Sequence, residues 1–385
     1  MKKAFRKMDI WLLIIMLVFS GFGLLMIFSA SNVTAVLRNN TTPTHYFTKQ
    51  LITVVGAYLI GFIIILRIPT NLYKYLTSIA VILTISALVL VFYFGIMSNG
   101  AQSWYDFGSF NLQPAEFAKS VLIVYFGVYY YKLSQMKNPQ FKNCLLPIAI
   151  TGIMVFLVWR QPDFGGSIIL IIIATLIFLA VPIPDKIKNQ FKKLALLSVF
   201  VIMGIVLLYG AKVLNQNQLG RFNFMKPCSR FQESSGYQVC NGYIAINNGG
   251  VFGLGLGEST QKYLYLPEAH TDFIFPIIIE ELGYITGIMV IIGYGFFLCR
   301  ILIIAKNTSN IQNSVITYGC FILMTCHIFI NLLGVLGLMP LTGVPLPFLS
   351  YGGSFGANTL GLLFIVLRIS IENKTDQTKA EIKKI

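Results

Sequence analysis

The chain alternates long apolar runs with short polar breaks, and one break is far longer than the rest. Runs such as 10–30 and 194–209 hold no charge and approach the ~20 residues a helix needs to cross hydrocarbon. Barrel strands would alternate over ~10 residues, whereas these runs are continuous. The pattern predicts ten spans, at 10–31, 51–68, 74–96, 115–132, 144–159, 165–182, 194–211, 273–299, 314–338 and 350–369. The long break, from Lys212 to Asp272, separates the seventh from the eighth. The expected fold is an all-α integral membrane protein of about ten transmembrane helices. Residues 1–370 form one integral-membrane domain with a large extracytoplasmic loop at 212–272, and 371–385 form a cytoplasmic tail.

Charge sets the orientation. An even number of spans leaves both termini on one side. Placing the N-terminus inside puts most of the 29 lysines and arginines in inner segments, which selects N-in, C-in. The net charge of +15 then reflects topology and attraction to an anionic inner leaflet, and does not imply nucleic acid. The composition, 56% hydrophobic and 11% charged, excludes an ordinary soluble domain, which carries about 25% charged residues. Ser29-Ala30-Ser31 mimics a cleavage site, but the apolar run before it exceeds the roughly 7–15 residues of a signal peptide. It is read as an uncleaved span. No internal repeat is detectable, which speaks against many secondary transporters.

Polar, Gly- and Pro-marked sequence collects on the outer side, at 100–119, 159–167, the long loop and 340–353. Chemistry is therefore expected there, and Asp272, at the membrane edge in His270-Thr271-Asp272-Phe273, is the first candidate. An acid at such a depth is costly unless it faces water or protein. The plain alternative is that Thr271 or Asp272 caps the next helix. Glu280 and Glu281 lie two turns deeper and need partners, either functional or structural. Glu116 and Lys119 share a helix face after Pro114, and Lys119 reads either as one of an i, i+3 pair or as a phosphate ligand. Asp163, in Gln161-Pro162-Asp163, is adequately explained as a cap. The Pro345–Ser354 segment breaks the backbone beside the last span, which is tolerated only against protein or a wet cavity. Gly253, Gly255 and Gly257 lack nucleotide-loop spacing and read as a flexible turn, and His327 is isolated. Cys228 and Cys240 both fall in the outer loop, where a disulfide can persist; the alternative is two free thiols.

The outer motifs, in this order, resemble the SEDS family (shape, elongation, division and sporulation proteins) of bacterial peptidoglycan glycosyltransferases. The resemblance rests on Gly-Ala-Gln-x-Trp with Gln-Pro-Ala-Glu-Phe-Ala-Lys (100–119), Gln-Pro-Asp-x-Gly (161–165), Gly-Gly-Val-Phe-Gly-Leu-Gly-Leu-Gly (249–257), Leu-Pro-Glu-Ala-His-Thr-Asp-Phe-Ile-Phe (266–275) and Pro-Phe-Leu-Ser-Tyr-Gly-Gly-Ser (347–354). Around 261–275 the chain looks more like division members than elongation members. The resemblance implies polymerisation of lipid II at the outer face of the cytoplasmic membrane. Asp272 matches the family's catalytic aspartate, a general base in an inverting transfer. Substrate contacts are expected from Trp104, Glu116, Lys119, Asp163, Arg221, Lys262, His270 and Ser350, with a divalent cation (Mg or Mn) that Glu116 or Asp163 would help to hold and no organic cofactor. The implied partners are a class B penicillin-binding protein (a transpeptidase), other divisome proteins and membrane lipids, at the septum. A lipid flippase, a pure scaffold and an elongation polymerase are the rival readings.

Overall fold

The structure is a computed structural model that describes residues 7–98, 101–108, 110–137, 139–182, 184–193 and 226–382. Ten α-helices are named here: α1 (Ile10–Leu37), α2 (His45–Ile63), α3 (Tyr73–Phe94), α4 (Pro114–Ser134), α5 (Leu145–Arg160), α6 (Phe164–Ala180), α7 (Ser234–Gly249), α8 (Ile274–Lys306), α9 (Ile311–Val335) and α10 (Gly353–Ile382). Nine of them answer the expected spans. The expected span 194–211 and Arg221 lie outside the described residues. Among the described residues, seven helices are long and apolar enough to cross a membrane, α6 is shorter, and α4, with Glu116 and Lys119 in its first turns, is not among the seven. The chain is an integral membrane protein.

Burial follows the pattern expected in lipid. Large apolar side chains such as Ile52, Ile79, Ile82, Phe156, Ile288 and Ile292 lie outward and exposed, because hydrocarbon does not penalise them. The centre is built from α4, α6 and α9. Gly127 and Gly319 bring these helices close, since a methyl at Gly127 would lie 2.5 Å from Ile316 and one at Gly319 2.6 Å from Ile123. Small residues at such crossings let membrane helices approach without a hydrophobic drive.

The two ends of the bundle differ. At one end the Asp9 N–H donates to Ser370 Oγ (3.1 Å), Arg300 pairs with Asp9, and Glu372 accepts from Thr70 and Asn313. Both chain ends of the bundle and the residues expected inside thus gather there. The expected tail begins as a continuation of the last helix: α10 runs on to Ile382, Glu372 is tied to the loop before α3, and Asp376–Thr378 are exposed. The other end carries the loops and all the outer motifs. The chain is also not wholly α-helical. Three short strands, β1 (Ile96–Ser98), β2 (Ala101–Asp106) and β3 (Asn111–Leu112), form a small antiparallel sheet of order β1-β2-β3, fastened to α3 where the Tyr105 hydroxyl donates to Ala87 O (2.8 Å).

Candidate active site

α8 is two helical segments joined at Gly283, and the second, 284–306, is about 35 Å long at ~1.5 Å per residue, enough to cross the ~30 Å of hydrocarbon. Every residue of α8 from Ile274 to Glu281 is buried, and lipid-facing side chains begin only at Tyr284 and Ile285. The first turns are therefore enclosed by protein. The helix breaks where they end: Gly283 has φ +82° and ψ 172°. The glycine-rich run docks into this break. Leu254 N–H donates to Glu280 O (2.9 Å), Gly255 N–H to Glu281 O (3.0 Å), and Tyr284 N–H to Gly250 O (2.9 Å). The run is therefore a packed backbone contact and not the flexible turn expected from its composition.

Glu280 and Glu281 are fully buried and both are satisfied. Glu280 accepts from Ser259 Oγ, from Thr260 Oγ1 (2.9 Å) and N–H (3.3 Å), from Gln261 N–H (3.3 Å) and from Asn248 (3.2 Å). Glu281 pairs with Lys262 at 3.0 Å. The structural alternative holds for both acids. Cys228, just before α7, is bonded to Cys240 within it, which settles the outer pair as a disulfide. No expected span covers α7, because its composition is too polar for one.

Asp272 stands at the head of α8, half-buried. The N-cap is Phe273, without a side-chain cap bond, so neither Thr271 nor Asp272 occupies the capping position. The Asp272 carbonyl accepts from Asn331 Nδ2 at 2.9 Å, and the same amide reaches Val344 O at 2.9 Å. Gly343 lies against the carboxylate, since a methyl there would sit 3.4 Å from Asp272 Oδ2. Ser350 Oγ donates to Thr271 O (2.6 Å) and Tyr351 N–H to His270 O (2.9 Å). Loop 338–352 is thereby locked to 270–272, and Ser350 is spent on that lock, buried at 2% exposure, instead of facing a ligand.

The other motifs meet the same loop. Gly165, at the start of α6, abuts Thr342 and Val344. Asp163 caps α6, accepting from Gly166 N–H (2.8 Å) and from Gln113 Nε2 (3.4 Å). The Gln113 N–H donates to Ser354 Oγ (3.1 Å), whose hydroxyl donates to Asn111 O (2.6 Å). The starts of α4, α6 and α10 and the head of α8 therefore ring one end of the bundle. Trp104, opposite Ile96 on β2, is half-buried at the same end.

The expected cations are placed differently. Lys119 is 2% exposed; its ammonium lies 2.8 Å from Glu116 and 3.2 Å from His327 Nε2. Lys262 is 1% exposed and held by Glu281 and Gly257 O. Neither presents its charge to a ligand, because burying an ammonium requires a carboxylate beside it. His327 is thus not isolated. His270 is buried against Tyr46 (ring centroids 4.5 Å apart) and Tyr351 (5.7 Å), and burial pushes its pKa down to about 4 against the pull of Glu268. Glu116 is engaged by Lys119 and Asp163 by the α6 cap and Gln113, so these two do not fit a metal's donor set. Among the described residues no three His, Cys, Asp or Glu side chains converge.

The Cell cycle protein family (FtsW/RodA/SpoVE) matches residues 9–375. The chain belongs to the FtsW/RodA/SpoVE family. It is 36% identical to the probable peptidoglycan glycosyltransferase FtsW of Bacillus subtilis, covering 98% of this chain and 94% of that one. It is 30% identical to stage V sporulation protein E of the same organism, over 94% and 96%. Among solved structures, a chain of a peptidoglycan synthase complex that coordinates polymerization and crosslinking superposes with TM-score 0.72 at 21% identity, covering 94% of this chain and 97% of that one. The rod shape determining protein RodA of Thermus thermophilus gives 0.66 at 22% identity, over 94% and 96%. Both likenesses carry the fold.

Within this family member, sequence reasoning missed Asn331 and the partnership of His327. The available signal was their spacing: two polar side chains one turn apart in an otherwise apolar span, where such groups face the bundle interior.

Proposed function

We propose that this chain is a peptidoglycan glycosyltransferase that polymerises lipid II at the outer face of the cytoplasmic membrane, with Asp272 as general base. The observation that carries the reading is the half-buried Asp272 at the loop-bearing end of a membrane bundle, its main chain fixed by Asn331 and its carboxylate beside Gly343. Asp272 takes the proton from the acceptor sugar's 4-hydroxyl as that oxygen attacks the donor's anomeric carbon. The bond to the undecaprenyl pyrophosphate breaks with inversion. Glycosidases need a second carboxylate as acid because an alcohol leaves; a pyrophosphate leaves far more readily, so one base and a cation suffice.

With Lys119 and Lys262 committed elsewhere, the cation is assigned to Arg221 or to Arg160. The latter is exposed at the loop end of α5 and has no carboxylate partner among the described residues. Mg or Mn bound by the substrate's own pyrophosphate belongs to the proposal, and none of its chemistry is given to Glu116 or Asp163. N-in, C-in topology, a class B penicillin-binding protein as partner, other divisome proteins and a septal location complete the reading. In the test, the purified chain with its transpeptidase partner makes glycan strands from lipid II. Asp272→Asn abolishes them while still folding and binding the partner. Robust strand formation by Asp272→Asn would falsify the assignment.

A further inference from the structure

The loop beside Asp272 is held almost entirely by side chains. Among the described residues, no N–H from Pro340 to Leu349 donates to another backbone group outside regular elements, and Pro340, Pro345 and Pro347 have none to give. Three of its carbonyls are claimed by helical side chains, while Leu346 O accepts from Ser350 N–H (3.0 Å). Asn331 Nδ2 reaches Val344 O (2.9 Å), His327 Nδ1 reaches Pro345 O (3.2 Å), and the Tyr294 hydroxyl reaches Pro347 O (2.5 Å). His327 and Asn331 are four residues apart and share one face of α9.

The hydrogen on His327 follows from its neighbours. An ammonium can only donate, so the Lys119 Nζ at 3.2 Å makes Nε2 an acceptor, and Nδ1 carries the hydrogen given to Pro345 O. Glu116, 2.8 Å from Lys119, balances that charge. Phe355 stacks on the imidazole at 4.7 Å and fixes its plane. Asn331 completes the arrangement by spending its second amide hydrogen on Asp272 O (2.9 Å). All four polar residues are at most 6% exposed.

We propose that His327 and Asn331 are positioning residues for Asp272, acting through the Gly343–Pro345 turn, and that the buried Glu116–Lys119 pair serves them by fixing the imidazole's hydrogen. This rests on Asp272 being the base. The two residues touch no reacting atom; they set where the carboxylate stands relative to the acceptor hydroxyl. A misplacement of about 1 Å costs on the order of 10²-fold in rate.

The test compares Asn331→Leu, His327→Leu and His327→Gln with wild type and Asp272→Asn, in the full chain with its transpeptidase partner and purified lipid II. Asn331→Leu and His327→Leu should lower kcat about 10²-fold per folded molecule, with KM for lipid II unchanged. His327→Gln should regain most of the rate, because one amide can donate to Pro345 O and accept from Lys119. Wild-type kcat in both leucine variants beside an inactive Asp272→Asn overturns the positioning role and leaves the base standing. An active Asp272→Asn overturns the base itself. A raised KM with unchanged kcat assigns the pair to binding and defeats the proposal. Where a leucine variant folds poorly, equal kcat per folded molecule for His327→Gln and His327→Leu defeats it as well.

Discussion

Lys262 Nζ lies 3.0 Å from Glu281 Oε1, and neither side chain is more than 1% exposed. Ser29 Oγ stands 2.7 Å from both oxygens of the same carboxylate, so a loop residue, the broken α8 and α1 are joined at one buried charge pair. Removing one partner leaves an uncompensated buried ion, which costs about 3–5 kcal/mol. Lys262→Met should therefore lower the thermal unfolding temperature in detergent sharply. The double variant Lys262→Met with Glu281→Met should recover much of it, and no recovery would mean the charges do more than balance each other.

The break in α8 makes a second demand. Gly283, at φ +82° and ψ 172°, would place a methyl 2.2 Å from Val251 O, and Gly253, at φ +84°, would place one 2.2 Å from Glu281 O. Both conformation and space exclude a side chain. Gly283→Ala should destabilise by about 1–3 kcal/mol or more, while Gly295→Ala, on the same helix with nothing within 4 Å, should be neutral or slightly stabilising. Thermal melts of the two variants side by side decide it; equal behaviour would contradict the docking of the glycine run.

The Cys228–Cys240 bridge spans a sequence separation of 12 residues. Closing a loop of this size stabilises by roughly 3 kcal/mol through the unfolded chain. Alkylation and mass measurement should find both thiols blocked before reduction and open after it. Cys228→Ser with Cys240→Ser should melt earlier than wild type.

His270 predicts a pH dependence. Burial lowers its pKa from 6.5 to about 4, so between these values the unfolded chain binds a proton that the folded one does not. Stability therefore rises with pH across that window. The contribution is complete above pH 6.5 and is lost as pH falls toward about 4, by as much as roughly 3 kcal/mol. Unfolding temperatures measured from pH 7 to 4 should decline, and His270→Phe should flatten that part of the curve. An unchanged slope in the variant would remove His270 from the account.

The sequence by itself determined the membrane class, nine of the helices, the motifs that gather at one end of the bundle, the cap at Asp163 and the candidacy of Asp272. These are local properties: partition into hydrocarbon adds up residue by residue, and a cap needs only its own helix. The tertiary structure alone decided which buried polar groups meet. Lys119, paired locally with Glu116, also meets His327, 208 residues away. Asp272 is tied to Asn331 across 59 residues, and Glu281 is shared between Lys262 and Ser29, the latter 252 residues distant. In a low-dielectric interior each such group must find a partner, and any of several distant residues could supply one. The choice is made by helix packing, which no local pattern along the chain contains.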